Sequence, residues 1–251
     1  MGFQKGVISL NPLRDVPLLL QVLHSQFITH DQLFEFMQRR CIETTRAPFN
    51  WRLRRLVTAC LLERHIVRSA TPCPILSVTN DAEVTLAKHC PVLDGRRHRD
   101  AATHINLVHS LELNELHLGL ARQGVLEDWK SEMTIRAKNE LTTSGYLKDY
   151  DAIVKVRMDS RVVVFALEYE RTAKKAKDYA RIRGLLEHED RVHRFLYVVQ
   201  EPDLASFLLD CFNGTTASLY VGLASELLRS FRTMNVIEAR SGTITPLTAA
   251  F

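Results

Sequence analysis

The spacing of apolar residues changes character along this chain, from helical at first to strands and helices in alternation from about Trp129 onward. Val16, Leu18, Leu19, Leu20, Val22 and Leu23 predict a buried helix over 16–24. Asp15 is its expected N-cap, and Pro17 falls in the first turn, where its missing N–H would have had no helical partner. Thr29 and Gln32 have the spacing of a capping box and open a second helix over 31–37. Leu53, Leu56, Val57, Cys60 and Leu61 follow the i, i+3, i+4, i+7, i+8 pattern of one face of a third helix over 49–62. Two short strands, 66–68 and 74–78, are expected next, joined by residues 69–73, and Asp81-Ala82-Glu83 opens a further helix. Helix, helix, turn, helix and hairpin together predict a winged helix, a layout that DNA readers use and that protein-docking modules share.

Between His89 and Thr103 the chain is polar and aperiodic, with Pro91 and Gly95 as breakers, so a boundary is placed there. The expected organisation is a winged-helix domain over 1–92, a linker and connecting helix over 93–125, and a second domain over 126–251. The connecting helix, 104–122, has broad apolar coverage and ends at Gly124. His104, His109 and His117 lack the i, i+4 spacing of helical metal ligands and read as ordinary histidines. Beyond it, 151–156 and 161–170 predict a hairpin with Met158-Asp159-Ser160 in the turn. Helix 172–188, strand 195–199, helix 203–211 and strand 218–223 complete a mixed α/β sheet with crossover helices.

Composition narrows the setting. The apolar fraction of 46% is ordinary for a globular chain. Apolar runs such as Val162 to Leu167 fall far short of the roughly 20 residues of a membrane span, and no leader pattern opens the chain, so a cytoplasmic protein is expected. The five cysteines are scattered without a CxxC pair, which offers neither a disulfide framework nor a zinc site. A net charge of +4 is modest, but residues 1–100 hold 14 Lys and Arg against 9 acids. Between Arg39 and Arg68 the excess sharpens: Arg46, Arg52, Arg54, Arg55 and Arg68 are the expected DNA contacts, with Arg52, Arg54 and Arg55 on the outward side of the third helix.

The candidate chemistry lies in the acids. Asp151 begins one strand, and Glu168 and Glu170 end the next on a shared face, because strand side chains repeat every second residue. Clustered carboxylates repel unless a cation compensates them, and a hard divalent ion such as Mg²⁺ or Mn²⁺ does so. Such an ion serves phosphodiester cleavage. Glu132 is placed to join the set from a preceding helix.

Glu132, then Tyr150-Asp151, then Leu167-Glu168-Tyr169-Glu170, then the Lys-rich stretch Ala173 to Tyr179, resembles the PD-(D/E)xK restriction-endonuclease superfamily. More narrowly, the winged helix together with Glu-x-Glu-Arg-Thr and a helix bearing Lys and Tyr resembles the replication-relaxation family, which includes MobC-type plasmid relaxases. The resemblance spans nearly the whole chain. It implies an α/β fold of the α+β kind, a winged helix followed by a restriction-endonuclease-like domain. It implies metal at Asp151, Glu168 and Glu170, and nicking of a plasmid origin of transfer to start conjugative mobilisation. An accessory mobilisation protein and a conjugation coupling protein would be partners, and a dimer is compatible with it. Tyr150 stands where the superfamily has Pro, and Glu170 where it has Lys. Lys155, Lys174 or Lys177 could supply that cation. Tyr179 or Tyr169 would serve any covalent link to DNA, but attack by metal-activated water is the simpler expectation, and Tyr179 reads rather as a core or phosphate-contact residue. A non-catalytic winged-helix regulator or replication factor, and a host-defence nuclease, are the competing readings.

Overall fold

The computed structural model describes residues 8–67, 71, 73–88 and 104–251. The fold is mixed α/β, and the chain divides into two compact units, Met1–Asn114 and Glu115–Phe251.

The first unit runs α1 (Asp15–Ser25), β1 (Ile28–Thr29), α2 (His30–Arg39), α3 (Arg46–Thr58), β2 (Leu62–His65), β3 (Ile75–Val78) and α4 (Asn80–Ala87). The strands form an antiparallel sheet in the order β1-β3-β2. The capping box on α2 is complete: Gln32 N–H donates to Thr29 Oγ1 at 3.1 Å, and Thr29 N–H donates to Gln32 Oε1 at 3.2 Å. Leu18, Leu19, Val22, Leu33, Phe49 and Leu56 are buried in the core these helices share.

Local details depart from the expectations for physical reasons. Asp15 is not a cap but the first residue of α1, where its Oδ2 accepts the Asn11 N–H at 2.7 Å and Oδ1 accepts from Arg52 at 2.6 Å. Helix α3 stops at Thr58 because Cys60 takes a left-handed conformation, φ 58°, so Leu61, although it keeps the helical spacing, leads into β2 at Leu62. That strand precedes the expected 66–68, and Ile66 is 78% exposed. Strand β1 has only two residues, too few to display alternation. Arg68, most of the connection after it and the expected boundary over 89–103 lie outside the described residues.

Helix α5 (His104–Arg122) contains the division between the units. In the first unit its Leu107 and Leu111 pack with Phe27 and Ile75, and Asn114 donates to the Phe27 carbonyl at 2.9 Å. Gly124, at φ 67°, supplies the left-handed turn that frees the chain for β4.

The second unit holds β4 (Leu126–Ser131), α6 (Glu132–Leu141), β5 (Ala152–Met158), β6 (Arg161–Glu170), α7 (Ala176–Glu187), β7 (Arg194–Val199), α8 (Pro202–Phe212) and β8 (Ser218–Leu223). It ends with α9 (Ala224–Arg229), β9 (Asn235–Glu238), β10 (Ile244–Pro246) and α10 (Leu247–Ala250). Its seven-stranded sheet has the order β10-β9-β8-β7-β6-β5-β4. Strands β6, β7 and β8 are parallel, as crossover helices α7 and α8 require, and the other pairs are antiparallel. On one face Ile153, Ala166, Tyr197 and Val221 pack with Tyr179, Ile182, Leu208 and Phe212 of α7 and α8. On the other, Phe165 meets Phe231 and Phe251 with ring centroids 6.0 and 5.1 Å apart. Edge strand β4 carries a register shift between Leu126 and Asp128, and edge strand β10 has three residues and ends in Pro246. Among the described residues no helix is long and apolar enough to cross a membrane.

Candidate active site

Register places the acids. Ala152 pairs with Leu167 across β5 and β6, so Asp151, one residue earlier, falls at the strand end beside Glu168. The Tyr169 N–H donates to Asp151 Oδ2 at 2.7 Å, which fixes the carboxylate there. Glu168 and Glu170 pair in register with Tyr197 and Val199 of β7. Two-residue periodicity puts them on the face that carries Ala166, the one covered by α7 and α8. They are only 4% and 5% exposed.

Two lysines neutralise these buried acids. Lys148, in the loop before β5, donates to Glu168 Oε1, and Lys174, just before α7, donates to Glu170 Oε1. Burial pushes the Glu168 carboxyl up to about 7; Lys148 pulls it down and Asp151 adds to the rise. Glu170 is raised by burial too, against the pull of Lys174 and with a further push from Asp151. Burial works to lower the Lys174 pKa, but Glu170, Glu168 and Asp151 together hold it above its ordinary value. Asp151, Glu168, Glu170, Lys174 and Lys148 therefore form one electrostatic cluster.

Three buried groups surround the cluster. The Tyr197 hydroxyl is buried without a hydrogen-bond partner among the described residues, and Glu168 and Glu170 add to the effect of burial in raising its pKa. Glu189 accepts the Tyr150 O–H at 3.1 Å, the Leu147 N–H at 2.8 Å and the Arg191 N–H at 2.9 Å. It thereby ties the loop bearing Lys148 to the turn after α7. Lys148, Tyr197 and Glu189 were not singled out from the sequence: the first lies in an aperiodic loop, the second inside an apolar strand and the third in a polar turn.

Other expected members are placed differently. The Glu132 N–H donates to the Asp151 carbonyl at 3.1 Å, yet its carboxylate is ion-paired with Arg136 on α6. Lys155 pairs with Glu127 at 3.2 Å, and Lys177 is exposed. Tyr179 is fully buried, its hydroxyl accepting the Lys174 N–H at 3.1 Å, and burial pushes its pKa up to about 12. A nucleophile or phosphate contact needs an accessible hydroxyl, so Tyr179 keeps the core role expected of it, as a prop beneath Lys174. Tyr169 is buried with its hydroxyl bonded to Gln200.

Two of the expected DNA contacts, Arg52 and Arg55, need correction. Arg52 does not face outward: it is 7% exposed, held by Asp15 at 2.6 Å and Glu43 at 2.7 Å. Arg55 pairs with the same Asp15 and lies 5.4 Å from the ring centre of Trp51. Arg46 is exposed but bound to Asp31 at 2.5 Å and stacked on Phe34. Two buried acids draw the helix face inward at Arg52 and Arg55, a coupling that residue spacing does not reveal. Arg54 stays exposed on α3 with no ion pair among the described residues, and Trp51 beside it is 60% exposed.

No family model, curated protein or solved structure matches this chain.

By residue type alone the set offers oxygens of the kind a hard divalent ion takes, since Asp151, Glu168 and Glu170 lie at adjoining strand ends. As the side chains stand, the lysine ammoniums supply the positive charge. Among the described residues, no three His, Cys, Asp or Glu side chains are grouped to hold an ion.

The raised Glu168 pKa has a measurable consequence in EDTA. An unfolded Glu titrates near 4.5 and folded Glu168 near 7, so the native state keeps a proton that the unfolded chain releases. Stability is therefore expected to fall as pH rises between those values and to level off above them. Glu168→Gln should flatten that decline in urea unfolding midpoints measured between about pH 5 and pH 8.

Proposed function

We propose that the protein is a metal-dependent DNA endonuclease, with a winged helix in its first unit that binds DNA and a restriction-endonuclease-like second unit that cuts it. The observation that carries this reading is the cluster of Asp151, Glu168 and Glu170 with Lys148 and Lys174 at the ends of β5 and β6. The order α1-β1-α2-α3-β2-β3 with a β1-β3-β2 sheet supports the winged helix. By the family resemblance the substrate would be a plasmid origin of transfer, with the mobilisation partners already named, and the expected setting is the cytoplasm.

Asp151, Glu168 and Glu170 would hold Mg²⁺ or Mn²⁺. When bound, that ion polarises the phosphate and lowers the pKa of a bound water. The chain's own part is to present desolvated oxygens on a rigid strand pair and to keep ammonium groups beside them. Lys148 and Lys174 attract the non-bridging oxygens of the phosphate and stabilise the charge that builds there during displacement of the leaving oxygen. Glu189, by holding the Leu147 N–H and the Tyr150 hydroxyl, keeps Lys148 and Asp151 in place. Water is the expected nucleophile, since Tyr179 and Tyr169 are both buried.

The test is incubation of the full chain with supercoiled plasmid carrying its own origin, with Mg²⁺, with Mn²⁺ and with EDTA. Metal-dependent conversion to the open circle is the expected result. Binding without nicking in either metal would leave the non-catalytic DNA binder, and cutting indifferent to sequence would point to a defence nuclease.

A further inference from the structure

Between Arg171 and Arg183 six Lys and Arg residues face one acid, Asp178, whereas the rest of Glu115–Phe251 has 13 against 18. The basic excess of the second unit is thus confined to one stretch of an otherwise acidic body. Lys175, Lys177 and Arg181 are exposed there and meet no carboxylate among the described residues. Arg136, Lys148, Lys155, Lys174 and Arg183 all do. Lys177 and Arg181 are one helical turn apart on α7, so their side chains are neighbours. Tyr179, Ile182 and Leu186 bury the opposite side. The start of this strip is anchored at the site, because Lys174 is held by Glu170 through its ammonium and by the Tyr179 hydroxyl through its backbone N–H.

The strip has the makings of a polyanion surface. Between its cations stand Ala176 and Ala180, both exposed, which let a backbone approach closely. None of the large exposed hydrophobics lies on α7, so the apolar anchor on which a protein interface depends is missing. We propose that Lys175, Lys177 and Arg181 form a phosphate track that carries duplex DNA on the second unit and leads its backbone to Asp151, Glu168 and Glu170. This rests on the endonuclease reading for the identity of the polymer, and it adds a DNA contact that is independent of α3.

The test is fluorescence anisotropy of the full chain with a labelled duplex in EDTA, over a salt series. In the K175Q/K177Q/R181Q variant the slope of log affinity against log salt is expected to fall by about 2 to 3, at about 0.9 per lost phosphate contact, and affinity at low salt at least about tenfold. The charge-preserving K175R/K177R/R181R variant should keep the parent slope. An unchanged slope in the glutamine variant, with the parent binding normally, overturns the track alone. Loss of polyglutamate binding with DNA binding intact overturns it in favour of an acidic protein partner. A parent chain that binds no DNA overturns both this and the DNA reading of the first unit. Because no metal is present, the outcome is independent of whether the chain cuts.

Discussion

Asp151→Ala and Glu168→Gln are each expected to lower metal-dependent nicking at least about 10³-fold while leaving DNA affinity in EDTA within about threefold of the parent. Both residues lie at the same strand ends, and each would contribute an oxygen to the ion that activates water and steadies the phosphate. Glutamine keeps the shape of Glu168 and removes the charge, so a loss in that variant reports on charge and not on packing. The same change frees Lys148, which can turn into solvent from a side chain already 17% exposed. Initial rates on supercoiled plasmid, set beside anisotropy on a matched duplex, separate cleavage from binding. Nicking at the parent rate in either variant would mean that the chemistry happens elsewhere.

The second large effect belongs to stability. Asp15→Ala should destabilise the first unit by about 3–5 kcal/mol, because it strands the buried Arg52 guanidinium with only Glu43 for a partner. Asp15 itself is fully buried and binds both Arg52 and Arg55. Its burial acts to raise the carboxyl pKa, but hydrogen bonds from Arg55, the Asn11 N–H and Arg52 outweigh burial and hold it below 3.8. The carboxylate therefore stabilises the fold above that value, and the contribution is lost as pH falls through the lowered pKa. Replacing the trio together, with Asp15→Leu, Glu43→Met and Arg52→Met, should recover most of the loss, since well-packed apolar groups carry no desolvation cost. Chemical unfolding followed at Trp51, on α3, in a Trp129→Phe background reads the first unit. A loss below about 1 kcal/mol for Asp15→Ala would show that the network is not holding that core together.

Much of the architecture was legible from periodicity because long amphipathic segments report their own surroundings. The capping box at Thr29, the face of α3 through Leu53 and Leu56, and the β5–β6 hairpin are of that kind. Elements whose partners lie far away in sequence were not. Strand β1 has two residues and is held by β3, 46 positions later in the pair Thr29↔Ile75. The segment from α9 to α10 is made of short pieces whose packing, such as Phe251 on Phe165 of β6, comes from far earlier in the chain.

The candidate site divides in the same way. Asp151, Glu168 and Glu170 were visible because alternation puts two of them on one face and the hairpin brings the third alongside. Which cation each would meet was not visible: Lys148 is 20 residues from Glu168 and reaches it through a loop without a pattern. Arg52 looked like a DNA contact because its spacing and charge are those of an outward residue. Only the positions of Asp15 and Glu43 in space reveal that it is spent inside the fold.

The two borders of the seven-stranded sheet govern how the protein should behave when concentrated. An open strand offers bare amides and carbonyls to any second chain that can line up with it, and this is how sheets run together into aggregates. Here one border is interrupted by the shift between Leu126 and Asp128, with Glu127, Asp128 and Lys130 adding charge, and the other is three residues long and closed by an imino acid. Neither gives a straight, uncharged ladder long enough to copy, so the molecule carries its own safeguard against end-to-end growth while its wide sheet remains intact.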